Sequence, residues 1–135
     1  MAPQVGPAPE ASVYLDTHVA LWLYAGQVER ISRRAADLIN REPVAVNPVV
    51  LLELQYLREI GRIAATPRTI VADLGRRLGL AVEDRPLAAV AEHALDLGWT
   101  RDAFDRLIVA QAALDRAVLL TTDRLIRAHY PRAVW

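Results

Sequence analysis

The stretch SVYLDTHVALWLYAG, residues 12–26, changes its period halfway along. SVYLD is short, β-branched and aromatic, and it follows a Pro-rich arm, so it reads as a buried strand. THVALWLYAG then carries apolar residues at helical intervals and stops at Gly26. A strand that feeds directly into a helix is the opening of an α/β unit, and Asp16 stands at the junction.

The same alternation continues outward. Ser32 can cap a helix running to about Arg41, with Ala35, Ala36, Leu38 and Ile39 inward. After Pro43, VAV is a minimal strand. Asn47-Pro48 pairs an N-cap with an N1 proline and opens VVLLELQYLREI, which runs to Gly61. Thr66-Pro67 repeats that device for a helix to about Gly79. LAVED (80–84) reads as a third strand, and Pro86 starts the amphipathic helix LAAVAEHALDL, which ends at Gly98. Asp102 opens a further helix, AVLLTT (117–122) follows as a strand, and a short helix begins at Asp123. The tail RAVW can add an edge strand. Strands alternating with helices imply an α/β domain with a parallel sheet. Residues 1–11, MAPQVGPAPEA, lack the basic and apolar regions of a signal peptide and read as a flexible arm. That leaves 12–135 as a single domain.

Composition narrows the function classes. A chain of 135 residues fits one domain, and at this size folding buries about two-thirds of the unfolded surface. The 53% hydrophobic content fills a core without a metal or disulfide staple. Cysteine is absent, which excludes thiolate chemistry, Cys-based zinc sites and disulfides. No apolar run reaches the roughly 18 residues of a membrane span, so a soluble, cytoplasmic chain with no membrane partner is expected. The 16 basic and 16 acidic residues balance, giving no global electrostatic footprint for nucleic acid. Every basic residue is Arg, whose guanidinium can bond phosphate bidentately. A coding bias toward Arg would produce the same count, so this feature is neutral.

The acids are more informative. Ligands of open parallel sheets bind beyond the carboxyl ends of the strands. Asp16 ends the first strand, Asp123 follows AVLLTT, and Asp105 lies in the first turn of the helix in TRDAFDRLIVAQAAL (100–114). Glu53 sits inside the helix after Asn47-Pro48 among Val49, Val50, Leu52, Leu54 and Leu57. A carboxylate so surrounded is rarely buried unless paired or bound to a metal. Each acid has an ordinary explanation: Asp16, Asp102, Asp105 and Asp123 suit helix starts, and Glu53 could share a solvent stripe with Gln55 and Glu59. Capping explains the aspartates singly. A site for a hard divalent cation such as Mg²⁺ or Mn²⁺ explains Asp16, Glu53, Asp105 and Asp123 together, because acids gathered at one rim repel without a counter-charge. His18, His93 and His129 show no ligand spacing and read as structural or exposed. No Gly-rich loop, Ser–His–Asp signature or nucleotide fingerprint appears.

YLDTHVALW, VVLLELQYL, RDAFDRLIVAQA and LLTTDRLI, in this order, resemble the PIN-domain ribonucleases, and more closely the VapC-type toxins of bacterial toxin–antitoxin pairs. The resemblance runs from about Val13 to Trp135. It implies a three-layer α/β/α domain around a central, mainly parallel sheet, and a metal-dependent endoribonuclease whose RNA cleavage inhibits translation. The family's metal-binding acids fall on Asp16, Glu53, Asp105 and Asp123, with Mg²⁺ or Mn²⁺ as cofactor. Thr121 matches the hydroxyl residue two positions before the last acid and supports the site. Asp102 is the extra acid of RDAFDR, assigned to capping or the outer shell. Asn47 stands where relatives often carry Ser or Thr, and Asn caps a helix equally well. The resemblance also implies an RNA substrate, a cognate VapB-type antitoxin and a homodimer. Two rivals are set beside it. A phosphoacceptor receiver domain would want a Lys near the last strand, and this chain has none. A catalytically silent PIN-like interaction module would keep the fold without the chemistry.

Overall fold

The computed structural model describes residues 13–135, so the arm expected at 1–11 lies outside the described residues. Five strands form one sheet: β1 (Val13–Leu15), β2 (Val44–Val46), β3 (Ala81–Val82), β4 (Val118–Leu120) and β5 (Ala133–Val134). Their order is β3-β2-β1-β4-β5, and every neighbouring pair is parallel. The helices are α1 (Thr17–Ala25), α2 (Arg33–Arg41), α3 (Val49–Glu59), α4 (Pro67–Leu78), α5 (Leu87–Ala94), α6 (Ala103–Leu114) and α7 (Arg124–His129). The tail does form the expected edge strand, with Ala133 and Val134 registered on Leu119 and Leu120.

Strand order explains where a site belongs. From β1 the chain steps outward to β2 and β3, then crosses back over the sheet to β4 on the other side of β1. With right-handed crossovers, reversing direction puts the later helices on the opposite face, which yields three layers. The reversal also leaves a crevice at the carboxyl ends of β1 and β4, the topological switch point where open α/β sheets bind ligands. Asp16 follows β1 and Thr121 follows β4, so both stand there.

The central strands are apolar throughout because helices cover both faces. Val13, Tyr14, Leu15, Val44, Ala45, Val46, Leu119 and Leu120 are all buried and pack with Val50, Leu54, Ile70, Leu74, Ile108, Val109 and Ile126 from the helices. Gly26 and Gly79 close α1 and α4 in the left-handed region, at φ 70° and 69°, where a Cβ would be strained. Among the described residues, no helix is long and apolar enough to cross a membrane.

Several boundaries differ from the sequence expectation. The third strand shrinks from 80–84 to Ala81–Val82. Leu80 is drawn into the end of α4, donating its N–H to the Leu74 carbonyl, and beyond Val82 only the Glu83 N–H still reaches β2. Helix α5 stops at Ala94 rather than Gly98. There Asp96 and Leu97 donate to carbonyls only three residues back, so the helix tightens into turns. A short 3-10 segment, Val28–Arg30, was not foreshadowed by any periodicity. Helix α3 is assigned from Val49, yet Pro48 already has helical angles and the Asn47 Oδ1 accepts the Val49 N–H at 2.8 Å. The Asn-Pro start therefore works as its residues suggest.

Candidate active site

Four separate segments of the chain deliver the acids: the β1–α1 and β4–α7 junctions, the middle of α3 and the start of α6. Asp16 leaves β1 and caps α1, with Oδ1 accepting the Thr17 N–H at 2.8 Å and Oδ2 accepting the Thr121 hydroxyl at 2.6 Å. Asp123 caps α7, its Oδ1 accepting the N–H groups of Leu125 and Ile126 at 2.9 and 3.0 Å. Thr121 also accepts the Asp123 N–H at 3.0 Å, so one hydroxyl serves both acids at the ends of β1 and β4. Asp105 lies in the first turn of α6, and Asp102 caps that helix by accepting the Asp105 N–H at 3.1 Å.

Glu53 resolves the ambiguity of its helix. Gln55 and Glu59 pair with each other in solvent at 2.8 Å. Glu53 instead turns to α1 and accepts the Thr17 hydroxyl on Oε1. Asn47 ties the start of α3 to α6, because its Nδ2 donates to the Leu107 carbonyl at 2.9 Å. That bond fixes the helix bearing Glu53 against the helix bearing Asp105.

Asp16, Glu53, Asp102, Asp105 and Asp123 line one pocket of about 200 Å³, together with His18, Val19 and Thr122. Larger hollows of about 580 and 540 Å³ lie elsewhere; Leu51, Leu52, Arg58 and Arg68 are among the residues lining the first, and Leu21, Trp22, Ile63 and Arg62 the second. The acid pocket is smaller than these, and it gathers five carboxylates. Of the expected supporting residues, Thr121 sits buried beneath Asp16, while Asn47 acts from outside the pocket. His18 and Thr122 on the pocket wall, and Thr17 behind it, were not singled out from sequence as part of the site. His18 is exposed, as expected, but stands on the pocket wall. His93 and His129 are not among the pocket residues, and His129 stacks on Trp99 at 4.8 Å.

Electrostatics mark the pocket as short of positive charge. Burial pushes the Asp105 carboxyl up to about 7, and the charges of Asp102, Asp16, Asp123 and Glu53 add to the rise. Asp16 is raised mainly by burial, against its hydrogen bonds from Thr121 and Thr17. Glu53 is also raised by burial first, with Asp16 and Asp102 adding repulsion against the Thr17 hydrogen bond. Oxygen-only, mutually repelling donors fit a hard divalent cation, and the pocket has room for several waters at about 30 Å³ each. Among the described residues, no three of these side chains stand close enough together to hold a metal ion between them. They line the walls of the pocket.

Comparison with known proteins agrees with this geometry. The PIN domain family model matches residues 13–130. Ribonuclease VapC22 of Mycobacterium tuberculosis is 32% identical over 130 residues, spanning 91% of this chain and 96% of that protein. The crystal structure of VapBC2 from Rickettsia felis, bound to a DNA fragment from their promoter, contains a chain that superposes with a TM-score of 0.63. That match covers 90% of this chain and 95% of the other at 18% identity, so it speaks for the fold. The chain belongs to the PIN-domain family, as a VapC-type member.

Proposed function

We propose that this protein is a Mg²⁺- or Mn²⁺-dependent endoribonuclease, the toxin of a VapBC-type toxin–antitoxin pair. The observation that carries the proposal is the single pocket lined by Asp16, Glu53, Asp105 and Asp123 at the switch point of the sheet. The relative named a ribonuclease supports RNA as the substrate, and the VapBC2 complex supports a VapB-type antitoxin as partner.

In this reading Asp16, Glu53, Asp105 and Asp123 hold the ion. A divalent cation bound there supplies a Lewis acid that activates water and neutralises charge on a phosphodiester. The chain does the positioning. Thr121 holds Asp16 and the start of α7. Asp102 holds the start of α6, and Asn47 fixes α3 against it. Asp16 is itself buried, which strengthens the interactions its carboxylate makes. Cleavage of RNA inhibits translation, the antitoxin blocks the site, and the toxin works as a homodimer.

The test is RNA cleavage by the purified chain with Mg²⁺ or Mn²⁺ and with EDTA. Metal-dependent cleavage that EDTA abolishes is expected. No cleavage above the EDTA control, with the fold intact, would leave the silent interaction module as the better reading.

A further inference from the structure

We propose that Thr17 is a positioning residue that sets the spacing between Asp16 and Glu53, holding both carboxylates in place to receive the cation. The inference rests on the metal-site reading above and concerns a residue that reading does not require.

Thr17 is the first residue of α1 and is 0% exposed. A Thr within a helix commonly returns its hydroxyl to a carbonyl three or four residues back. At the first helical position that preceding turn does not exist. The hydroxyl is delivered instead to Glu53, 36 positions along the chain on a different helix. The backbone N–H of the same residue donates to Asp16 Oδ1 at 2.8 Å. One residue thus grips two acids with two different donors.

Glu53 depends on that single grip. Asp16 is held from both oxygens, and Asp123 receives two backbone N–H groups. Glu53 has the longest side chain of the set, and the Thr17 hydroxyl is the donor recorded to it among the described residues. Without that donor, repulsion from Asp16 and Asp102 favours rotation of the carboxylate out of the pocket. Groups that orient a metal ligand typically contribute about 10- to 100-fold in metal affinity.

The experiment measures Mn²⁺ affinity of the full chain by calorimetry, together with the Mn²⁺-induced rise in melting temperature and the metal-free melting temperature. Thr17→Val keeps shape and deletes the hydroxyl, while Thr17→Ser keeps the hydroxyl and deletes a methyl. Expected is Mn²⁺ binding about 10- to 100-fold weaker in Thr17→Val, with Thr17→Ser near wild type. A purely structural Thr17 would move the metal-free melting temperature and leave Mn²⁺ affinity alone, and that result overturns the proposal. Equal loss in Thr17→Ser and Thr17→Val also overturns it, because the methyl would then be responsible. Should Thr17→Val not fold, Thr17→Ser against Thr17→Ala isolates the same hydroxyl. A wild type that binds no Mn²⁺ rejects the metal-site reading and this inference with it. A wild type that binds Mn²⁺ beside an unchanged Thr17→Val rejects this inference alone.

Discussion

Asp102 caps the helix that carries Asp105, accepting its backbone N–H at 3.1 Å, while both side chains line the same pocket. One acid holds the backbone of the other. Their roles separate by substitution. Loss of an N-cap costs about 1 kcal/mol, so Asp102→Ala should lower the melting temperature and retain substantial cleavage. Asp102→Asn keeps an equally good cap and should be nearly as stable as wild type. Asp105→Asn should keep the fold and fall to background cleavage. An inactive Asp102→Asn beside an active Asp105→Asn would mean the roles are reversed.

The raised Asp105 carboxyl predicts an unusual pH dependence. Between the ordinary carboxylate range near 4 and its folded value of about 7, the folded state binds more protons than the unfolded state. Stability from this group therefore falls as pH rises through that window. Metal-free wild type should lose stability relative to Asp105→Asn between roughly pH 4 and pH 7. Since only the carboxylate binds metal, Mn²⁺ affinity should climb through about pH 7. Parallel melting curves of the two proteins across that range would refute the assignment of Asp105 as the strained acid.

A second polar cluster tests stability apart from chemistry. Tyr14 donates to Asp115 at 2.5 Å, and Arg85 Nε donates to the other Asp115 oxygen at 3.0 Å while also reaching Glu83. Gln111 closes the cluster by donating to Tyr14 and to the Glu83 carbonyl. The Tyr14 hydroxyl is pushed upward, chiefly by burial and then by its bond to Asp115. Arg85→Met should leave the buried Asp115 carboxylate without its cation and cost about 3 kcal/mol. The Mn²⁺-induced melting shift should stay as in wild type. A lost Mn²⁺ shift would show that this cluster supports the site.

What the sequence disclosed follows from the range of each interaction. Asp16 and Asp123 were readable because each stands where a strand ends and a helix begins, a local signal. Glu53 was conspicuous as a charge among apolar neighbours. The pocket-facing turn of its side chain was not, because its partner Thr17 is an ordinary helix-start residue 36 positions away. The Tyr14–Asp115 bond joins residues 101 apart and leaves no pattern in either segment. Strand β3 was drawn too long because the apolar run at Leu80 looks the same whether it pairs with a sheet or finishes α4. Helix periodicity, likewise, does not reveal where α5 tightens after Ala94.

The last prediction concerns Glu53 and separates stability from function within one residue. Its carboxyl is raised by burial first and by the charges of Asp16 and Asp102 next, against one hydrogen bond from Thr17. Ionised and metal-free, it opposes folding. Glu53→Gln removes the charge and the repulsion but keeps an oxygen to accept the Thr17 hydroxyl. Metal-free stability should therefore hold or rise, most clearly above the ordinary carboxylate range, where the wild-type group is forced to ionise. A neutral amide oxygen holds a hard cation less tightly than a carboxylate does, so the Mn²⁺-induced melting shift should shrink and cleavage should fall to background. Glu53→Ala supplies the contrast, losing the charge and the acceptor together and leaving the buried Thr17 hydroxyl without a partner. It should be less stable than Glu53→Gln by about 1 to 3 kcal/mol. Melting curves with and without Mn²⁺, read beside initial cleavage rates, decide the matter. A Glu53→Gln protein that unfolds while its folded fraction still cuts RNA would make Glu53 a structural residue and remove it from the metal site.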